Sequence, residues 1–474
     1  MGIRESHMTQ SDLFTWSMEQ DPALRSTIVS VLVLDSEPEW DRLVRVFDRG
    51  TRVAPGFRHV LAAAPLGLTP PRWQYDPNFD LSWHLRRIAL PPPADQAAVL
   101  EFARNEVMTA FDPVRPLWTF TLLSGRPGRG SAAVLKVHHS LTDGVGGMQI
   151  ATEVLDFTRE GTERGPVRER EPHRAAPVAD VLAWNWSAGW GLVRGGAAAV
   201  ATASVRAAAD PVGAVRDGAA MVSSLARLAR PVTETMSPVM IGRGLGRRLT
   251  VLEVPFAQLE EPAVRAGCTV NDAFLTALLL GLRSYHRRYD VSLTRVRVTV
   301  PISTRTAEDP PGGNRITLAR FAVPADTDDV GELMWAVRGL VERWRREPAI
   351  PWSNAVAAVF NRLPAGAVAQ MLRHVDFVAS DVAGSPVPLY LAGAEVERIH
   401  AFGPTIGTAF NATLISHMGT CAVGINADTA AVPDLPEFTE CLASGFRKVA
   451  AFAPQPNPRR DGMVARSGER SGIS

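Results

Sequence analysis

The stretch TREGTERGPVREREPHRAAP, beginning at Thr158, packs charge, glycine and proline so densely that no helix or strand with a buried face can run through it. Before it, residues 8 to about 157 alternate β-rich runs such as STIVSVLVL and AAVLKV with helical ones such as AAVLEFARNEVMTAF. After it, residues 179 to 230 are rich in Ala with recurring Arg, which predicts helices broken near Gly and Pro211. From RRLTVLEVPF the α/β alternation resumes and continues to about residue 453. A chain of 474 residues exceeds one core at the usual ~100–200 residues per domain. The expectation is two α/β halves, residues 8–157 and 246–456, joined by a linker and helical connector over 158–245, of which 158–178 is exposed. The tail over 457–474 has almost no apolar content, which predicts disorder.

Composition narrows the function. A formal net charge of +1, with no basic stripe interleaved with aromatics, removes the electrostatic reason to expect nucleic acid. Cys268, Cys421 and Cys441 are few, odd in number and unpaired by spacing, so neither a disulfide framework nor a zinc site is expected, and a reducing cytoplasm fits. MGIRESHM lacks the apolar stretch of a signal peptide, and SHM before TQSDLF looks like an added leader, with natural translation starting at Met8. No stretch reaches the ~18 uncharged apolar residues needed to span a bilayer; FLTALLLGL is too short and VLAWNWSAGWGLV stops at Arg194. Peripheral contact with a membrane or lipid inclusion stays open; crossing one is not expected.

The chemistry concentrates in LKVHHSLTDG, residues 135–144. AAVLKVHH reads as a strand, and successive strand side chains point to opposite faces, so His138 and His139 cannot both look into one pocket. SLTDGVGG then reads as turn material and MQIATEVLDFTRE as a helix, a junction at which reactive groups become exposed. Imidazole titrates near neutrality, which suits it to take a proton from a hydroxyl or amine and return it to a leaving group. The chain contains no Gly-x-Ser-x-Gly, His-Glu-x-x-His, Gly-x-x-x-x-Gly-Lys or Gly-x-Gly-x-x-Gly. A lone histidine base best serves an electrophile that is already activated, such as an acyl thioester. Asp143 then orients the loop, and Gly144 lets backbone and substrate approach closely. Two core histidines before an Asp-Gly turn would look the same over this segment alone.

The complete His-His-x-x-x-Asp-Gly pattern is shared, whole or as its His-x-x-x-Asp core, by chloramphenicol acetyltransferases, peptide-synthetase condensation domains and the wax ester synthase/diacylglycerol acyltransferase family. The chain resembles the last of these from Met8 to about Ala453. The matches are RPLWTF, TVNDAFLTALLLGLRSY, VTVPISTR, GGNRITLARFAVP, PLYLAGAEVERIHAFGP and CAVGINADTAAVPD. The resemblance implies an α/β (α+β) fold of two chloramphenicol-acetyltransferase-like halves with a tunnel at their interface. It implies acyl transfer from acyl-CoA to a long-chain alcohol or diacylglycerol, with His139 as base and His138 and Asp143 shaping the loop. Gly144, Gly147 and Asn271 are expected on the substrate side, with acyl-CoA as co-substrate and no metal or redox cofactor. Two rival readings are condensation-type transfer to an amine or specialised alcohol, with a carrier-protein or CoA donor, and a non-catalytic lipid-binding protein.

Other matched residues have structural readings. Asn271 is placed to cap the helix DAFLTALLLGLRSYHRRY, Trp118 reads as core, Asn314 as a turn residue, and Trp184, Trp186 and Trp190 as interior, with a lipid interface as the alternative. The chain departs from the family at SDVAGS, residues 380–385, where the family usually has Ser-Asn-Val-Pro-Gly-Pro. If this loop lines the acceptor side, the carboxylate of Asp381 favours an acceptor that can pair with it, an amine or a polyol.

Overall fold

Alternating apolar side chains and well-chosen helix caps account for most of the elements. A computed structural model describes residues 7–63, 69–125, 128, 130–142, 144–165, 167, 232–303, 316–347, 350, 357–358, 361 and 372–453, with isolated positions between 186 and 224. The N-terminal part runs α1 (Gln10–Met18), β1 (Thr27–Leu34), α2 (Trp40–Val53), β2 (His59–Ala62), β3 (Arg72–Tyr75), α3 (Leu81–His84), β4 (Leu85–Ala89), α4 (Gln96–Met108), β5 (Trp118–Ser124), β6 (Ser131–His138) and α5 (Gly144–Val154). The C-terminal part runs β7 (Arg247–Pro255), α6 (Ala257–Ala266), α7 (Val270–Arg287), β8 (Arg295–Ser303), β9 (Ile316–Pro324), α8 (Val330–Arg345), β10 (Phe377–Ser385), β11 (Tyr390–Leu391), β12 (Ala394–Phe402), β13 (Phe410–His417), β14 (Thr420–Asp428) and α9 (Leu435–Ala450).

Two six-stranded mixed sheets carry the molecule, in the orders β11-β12-β1-β6-β5-β4 and β7-β14-β13-β10-β8-β9. The division between them does not follow the chain. Strands β11 and β12 come from the C-terminal part, yet β12 lies antiparallel to β1, with Val29 opposite Phe402 and Val31 opposite His400. The sheets meet where β12 passes β14: a Cβ at Gly424 would sit 2.1 Å from the Ala401 carbonyl oxygen, so only glycine permits this approach. Across the same seam His400 Nε2 lies 3.0 Å from Glu253 Oε1 on β7.

The first sheet is apolar on both faces, the second on the face that meets its helices. One face of the first sheet packs under α2 and α5 through Phe47, Trp118 and Phe120, while Val29, Val31 and Val134 on the other face pack with α4. The second sheet covers α7 and α9 with Phe377, Phe410, Leu414 and Val423. Thr269, not Asn271, caps α7: its side chain accepts from Asp272 N–H while the Asp272 carboxylate accepts from Thr269 N–H, a capping box. Asn271 therefore lies inside the first turn, which corrects the cap assignment.

Helix α5 starts at Gly144, so GVGG is its first turn and not a loop. Residues 158–165 have no regular structure, as their composition demands, but they are pinned. Arg159 reaches Asp35 at 2.6 Å and the Gly393 carbonyl at 2.9 Å, and Arg164 reaches Asp156 at 2.9 Å. The expected tail, most of the expected connector between 166 and 231, and Trp184, Trp190 and Asn314 lie outside the described residues; residues 232–245 run without helix or strand up to β7, and Trp186, expected in the interior, is exposed. Among the described residues no single helix is long and apolar enough to cross a membrane.

Candidate active site

The side-chain alternation of β6 continues one residue beyond the strand. Leu135, Val137 and His139 face a cavity of about 400 Å³; Lys136 and His138 face away from it and are buried. His138 is wedged edge-on between Trp16 and Phe111, with ring centroids 5.5 and 5.8 Å away. The Ser140 N–H donates to His138 Nδ1 at 3.2 Å, which leaves the ring's proton on Nε2, 3.4 Å from Glu19 Oε2. The same Glu19 oxygen accepts from Ser26 N–H at 3.1 Å, and the Ser26 carbonyl accepts from His139 N–H at 2.9 Å. His138 thus braces the turn after it through Ser140, Glu19 and Ser26 fix the backbone that presents His139, and neither His138 nor Glu19 borders the cavity. Glu19, at the end of α1, was not singled out by sequence; nothing in its local pattern points to a partner more than a hundred positions away.

The cavity lies between the cavity-facing sides of the two sheets, and period-two alternation selects its lining. From the first sheet come Ile28, Ser30 and Leu32 of β1, Phe120 of β5 and Ile399 of β12; α2 and α5 add Phe47, Gly50, Ile150 and Val154. From the second sheet come Thr299 of β8, Arg320 of β9, Ser380 and Val382 of β10, and Asn411 and Thr413 of β13. Helix α1 closes one side with Phe14 and Met18. The first sheet's share is almost wholly apolar. The second sheet's share carries hydroxyls, an amide and a guanidinium. Burial and the nearby Arg297 both press Arg320 below the usual guanidinium range.

Of the residues singled out by sequence, His139 and Gly147 border this cavity and Asn271 does not. Gly144 opens α5, and Asp143 lies outside the described residues. Trp118 is fully buried, stacked on His84 and Phe47, its Nε1 donating to the Phe57 carbonyl at 2.8 Å.

The expectation for Asp381 is overturned. Residues 380–385 form the end of β10, paired in parallel to β13, and are not a loop. Ser380 and Val382 face the cavity, whereas Asp381 shares the opposite face with Cys421, whose thiol is raised to about 12 by burial and then by this carboxylate. Burial raises the Asp381 carboxyl to about 6. The charge presented to the cavity is therefore the cation Arg320 and not the anion Asp381.

Buried Ser237, His286 and Asp376 also come together. Ser237 Oγ lies 2.7 Å from His286 Nε2, but His286 Nδ1 bonds the Leu282 carbonyl at 2.8 Å and Asp376 accepts the backbone N–H groups of Met236, Ser237 and Arg297. All three are fully buried and none borders the cavity beside His139; their hydrogen bonds clamp residues 236–240 onto α7 and the start of β10. The three cysteines are free, and among the described residues no three His, Cys, Asp or Glu side chains converge as a metal site.

Comparison with known proteins places this geometry. The wax ester synthase/diacylglycerol acyltransferase catalytic domain matches residues 8–274, and the C-terminal domain of the same family matches residues 312–450. A putative diacylglycerol O-acyltransferase of Mycobacterium tuberculosis (strain H37Rv) is 32% identical over 456 residues, covering 93% of this chain and 91% of that protein. A second from the same strain is 28% identical over 460 residues, covering 91% and 94%. Among solved structures, the wax ester synthase/diacylglycerol acyltransferase from Marinobacter aquaeolei VT8 is similar with a TM-score of 0.62 at 22% identity, covering 94% of this chain and 100% of that one. The first condensation domain of the calcium-dependent antibiotic synthetase is similar with a TM-score of 0.60 at 14% identity, covering 95% and 96%. The two-halved, condensation-domain-like architecture is thus shared, and the chain belongs to the wax ester synthase/diacylglycerol acyltransferase family as an acyltransferase of that type.

Proposed function

We propose that the chain transfers a fatty acyl group from acyl-CoA to the hydroxyl of an alcohol acceptor, with His139 as general base and no further cofactor. The observation that carries this reading is the position of His139, the one histidine among the described residues on the border of a cavity whose flank under α2 and α5 is apolar. The family's relatives, named for diacylglycerol O-acyltransferase activity, support an acyl donor and an alcohol acceptor.

In this reading the acyl chain lies among Phe47, Phe57, Phe120, Ile150 and Val154, where burying methylenes is favourable by about 0.8 kcal/mol each. The neutral imidazole of His139 accepts the acceptor's hydroxyl proton as the oxygen attacks the thioester carbonyl. The tetrahedral adduct collapses with cleavage of the carbon–sulfur bond, and the imidazolium returns its proton to the departing thiolate. The chain supplies no covalent intermediate. Glu19 and Ser26 hold the backbone of the base, His138 braces the turn, Asp143 is assigned the role of orienting the loop, and Gly144 and Gly147 keep the helix start free of side chains where the substrates pass. Because long-chain products partition into lipid, the protein works from the cytoplasm at a membrane or lipid-inclusion surface.

The test is mass spectrometry of products after incubating the purified chain with mixed acyl-CoAs and a panel of alcohols, diacylglycerols and amines, and with acyl carrier protein as the competing donor. Ester formed from free acyl-CoA is the expected result. Amide products alone, or turnover only with the carrier protein, would overturn it.

A further inference from the structure

The cavity beside His139 is divided by polarity, and the division follows the two sheets. On the second sheet Thr299, Ser380, Asn411 and Thr413 share the cavity face with Arg320, while their strand neighbours Val298, Ala379, Phe410 and Ala412 turn into the core. Thr317, only 5% exposed, also borders the cavity, and its hydroxyl has no hydrogen-bond partner among the described residues. A buried hydroxyl of that kind is satisfied by whatever fills the space. A guanidinium is the side chain best suited to a planar or tetrahedral oxyanion, because its fixed fork matches two oxygens at once. A long-chain alcohol with one hydroxyl and no other polar atom uses none of these groups.

We propose that the second-sheet side of the cavity receives the acceptor and that Arg320 binds an oxyanion on it, a carboxylate or phosphate close to the reacting hydroxyl. This rests on the acyl-transfer reading of the same cavity. Chemically, it makes the favoured acceptor a lipid hydroxy acid or a phosphate-bearing glyceride, recognised by Arg320 and oriented by the surrounding hydroxyls. Arg320 acts on specificity and does not touch the reacting bonds. An anion in the cavity has a second source, since the donor itself carries phosphates, and the test separates the two.

The experiment compares kcat/KM for beta-hydroxypalmitate and for its uncharged methyl ester, in the wild type and in Arg320→Met and Arg320→Lys, with palmitoyl-CoA and with the phosphate-free palmitoyl N-acetylcysteamine thioester as donors. The wild type is expected to prefer the acid. Arg320→Met should lower the acid-to-ester ratio roughly tenfold or more with either donor, and Arg320→Lys should recover part of it. A ratio near one in the wild type, or one that Arg320→Met leaves alone, overturns the proposal. So does a rise in KM confined to palmitoyl-CoA, which would assign the anion to the donor. Calorimetric binding of beta-hydroxypalmitate to the donor-free wild type and Arg320→Met proteins, with thermal melts as the folding control, reads the same recognition without turnover. Tighter binding to the wild type supports the oxyanion site even if no ester forms, in which case only the acyl-transfer reading fails; equal binding overturns the oxyanion site whether or not transfer occurs.

Discussion

At the scale of single residues, the paired histidines divide their work by the geometry of a strand. His139 borders the cavity, and His138 ties Glu19 and Ser26 into the turn that presents it. A positioned base contributes ~10²–10⁴ in rate, so His139→Ala should lose turnover by that factor while its melting temperature and acyl-CoA affinity stay close to wild type. Wild-type turnover in the folded variant would remove the assignment. Asp381 makes a different prediction. The residue is exposed by area, yet protein surrounds its carboxyl closely enough to raise it to about 6. The folded state therefore prefers the protonated acid, and the stability this lends is full below the unfolded value near 3.8 and is lost as pH rises through 6. Asp381→Asn should melt higher than wild type at pH 8, by about 1 kcal/mol once solvent screening is allowed for, and no differently at pH 3.5. A variant less stable than wild type at pH 8 would contradict this. The alternation that separates His138 from His139 was readable from the sequence because a strand imposes it locally. Arg320 was readable by the same rule, as the one cation on a face shared with Leu318 in ITLARFAVP, but only knowledge of which face meets the cavity gives it meaning.

At the scale of elements, the readings that failed are those in which packing overrode local propensity. Gly-Val-Gly-Gly is a poor helix former, yet it opens α5, a helix that packs against α2 so closely at its C-terminal end that a Cβ at Gly50 would sit 2.9 Å from Val154 Cγ2. SDVAGS has little β-propensity, yet β13 supplies backbone partners from Phe377 to Val382 and again at Ser385, with an irregularity at Ala383 and Gly384 between them, and holds it as strand. The pairing of α7 with α9 shows the same close approach in a form that can be tested. A methyl at Gly445 would fall 2.1 Å from the Ala277 carbonyl oxygen, and one at Gly281 would fall 2.6 Å from Leu442 Cα. Gly445→Ala must push the two helices apart beneath the second sheet. It should cost about 1–3 kcal/mol, read as a lower denaturant midpoint with helix content retained. Stability equal to wild type would show that the helices have room to slide.

For the whole molecule, buried imidazoles set the acid limit. Burial lowers His84, stacked on Trp118, from 6.5 to about 4, and burial also lowers His286. His84 stays neutral in the fold while the unfolded chain takes up protons near pH 6.5, so its contribution is full above 6.5 and is lost as pH falls toward 4; His286 is shifted in the same direction. His84 alone should cost about 2 kcal/mol between pH 7 and pH 5, and the drop in melting temperature over that interval should shrink in His84→Gln. A wild-type melting temperature flat over that interval would refute the neutral, buried state. The two-halved plan was legible in the sequence, but the passage of β12 into the first sheet was not, because a pairing between residues so far apart leaves no local trace. That passage also sets the order in which the protein can be made. Strand β1 is bordered by β6 on one side and by β12 on the other, so as the chain leaves the ribosome the first sheet keeps an open edge until Phe402 has emerged. Throughout that interval β1 offers unpaired backbone groups to any passing strand, the usual start of misassembly. A gene split between the halves should leave the N-terminal half in that open-edged state, read as aggregation of the half expressed alone and its rescue when the C-terminal half is supplied in trans.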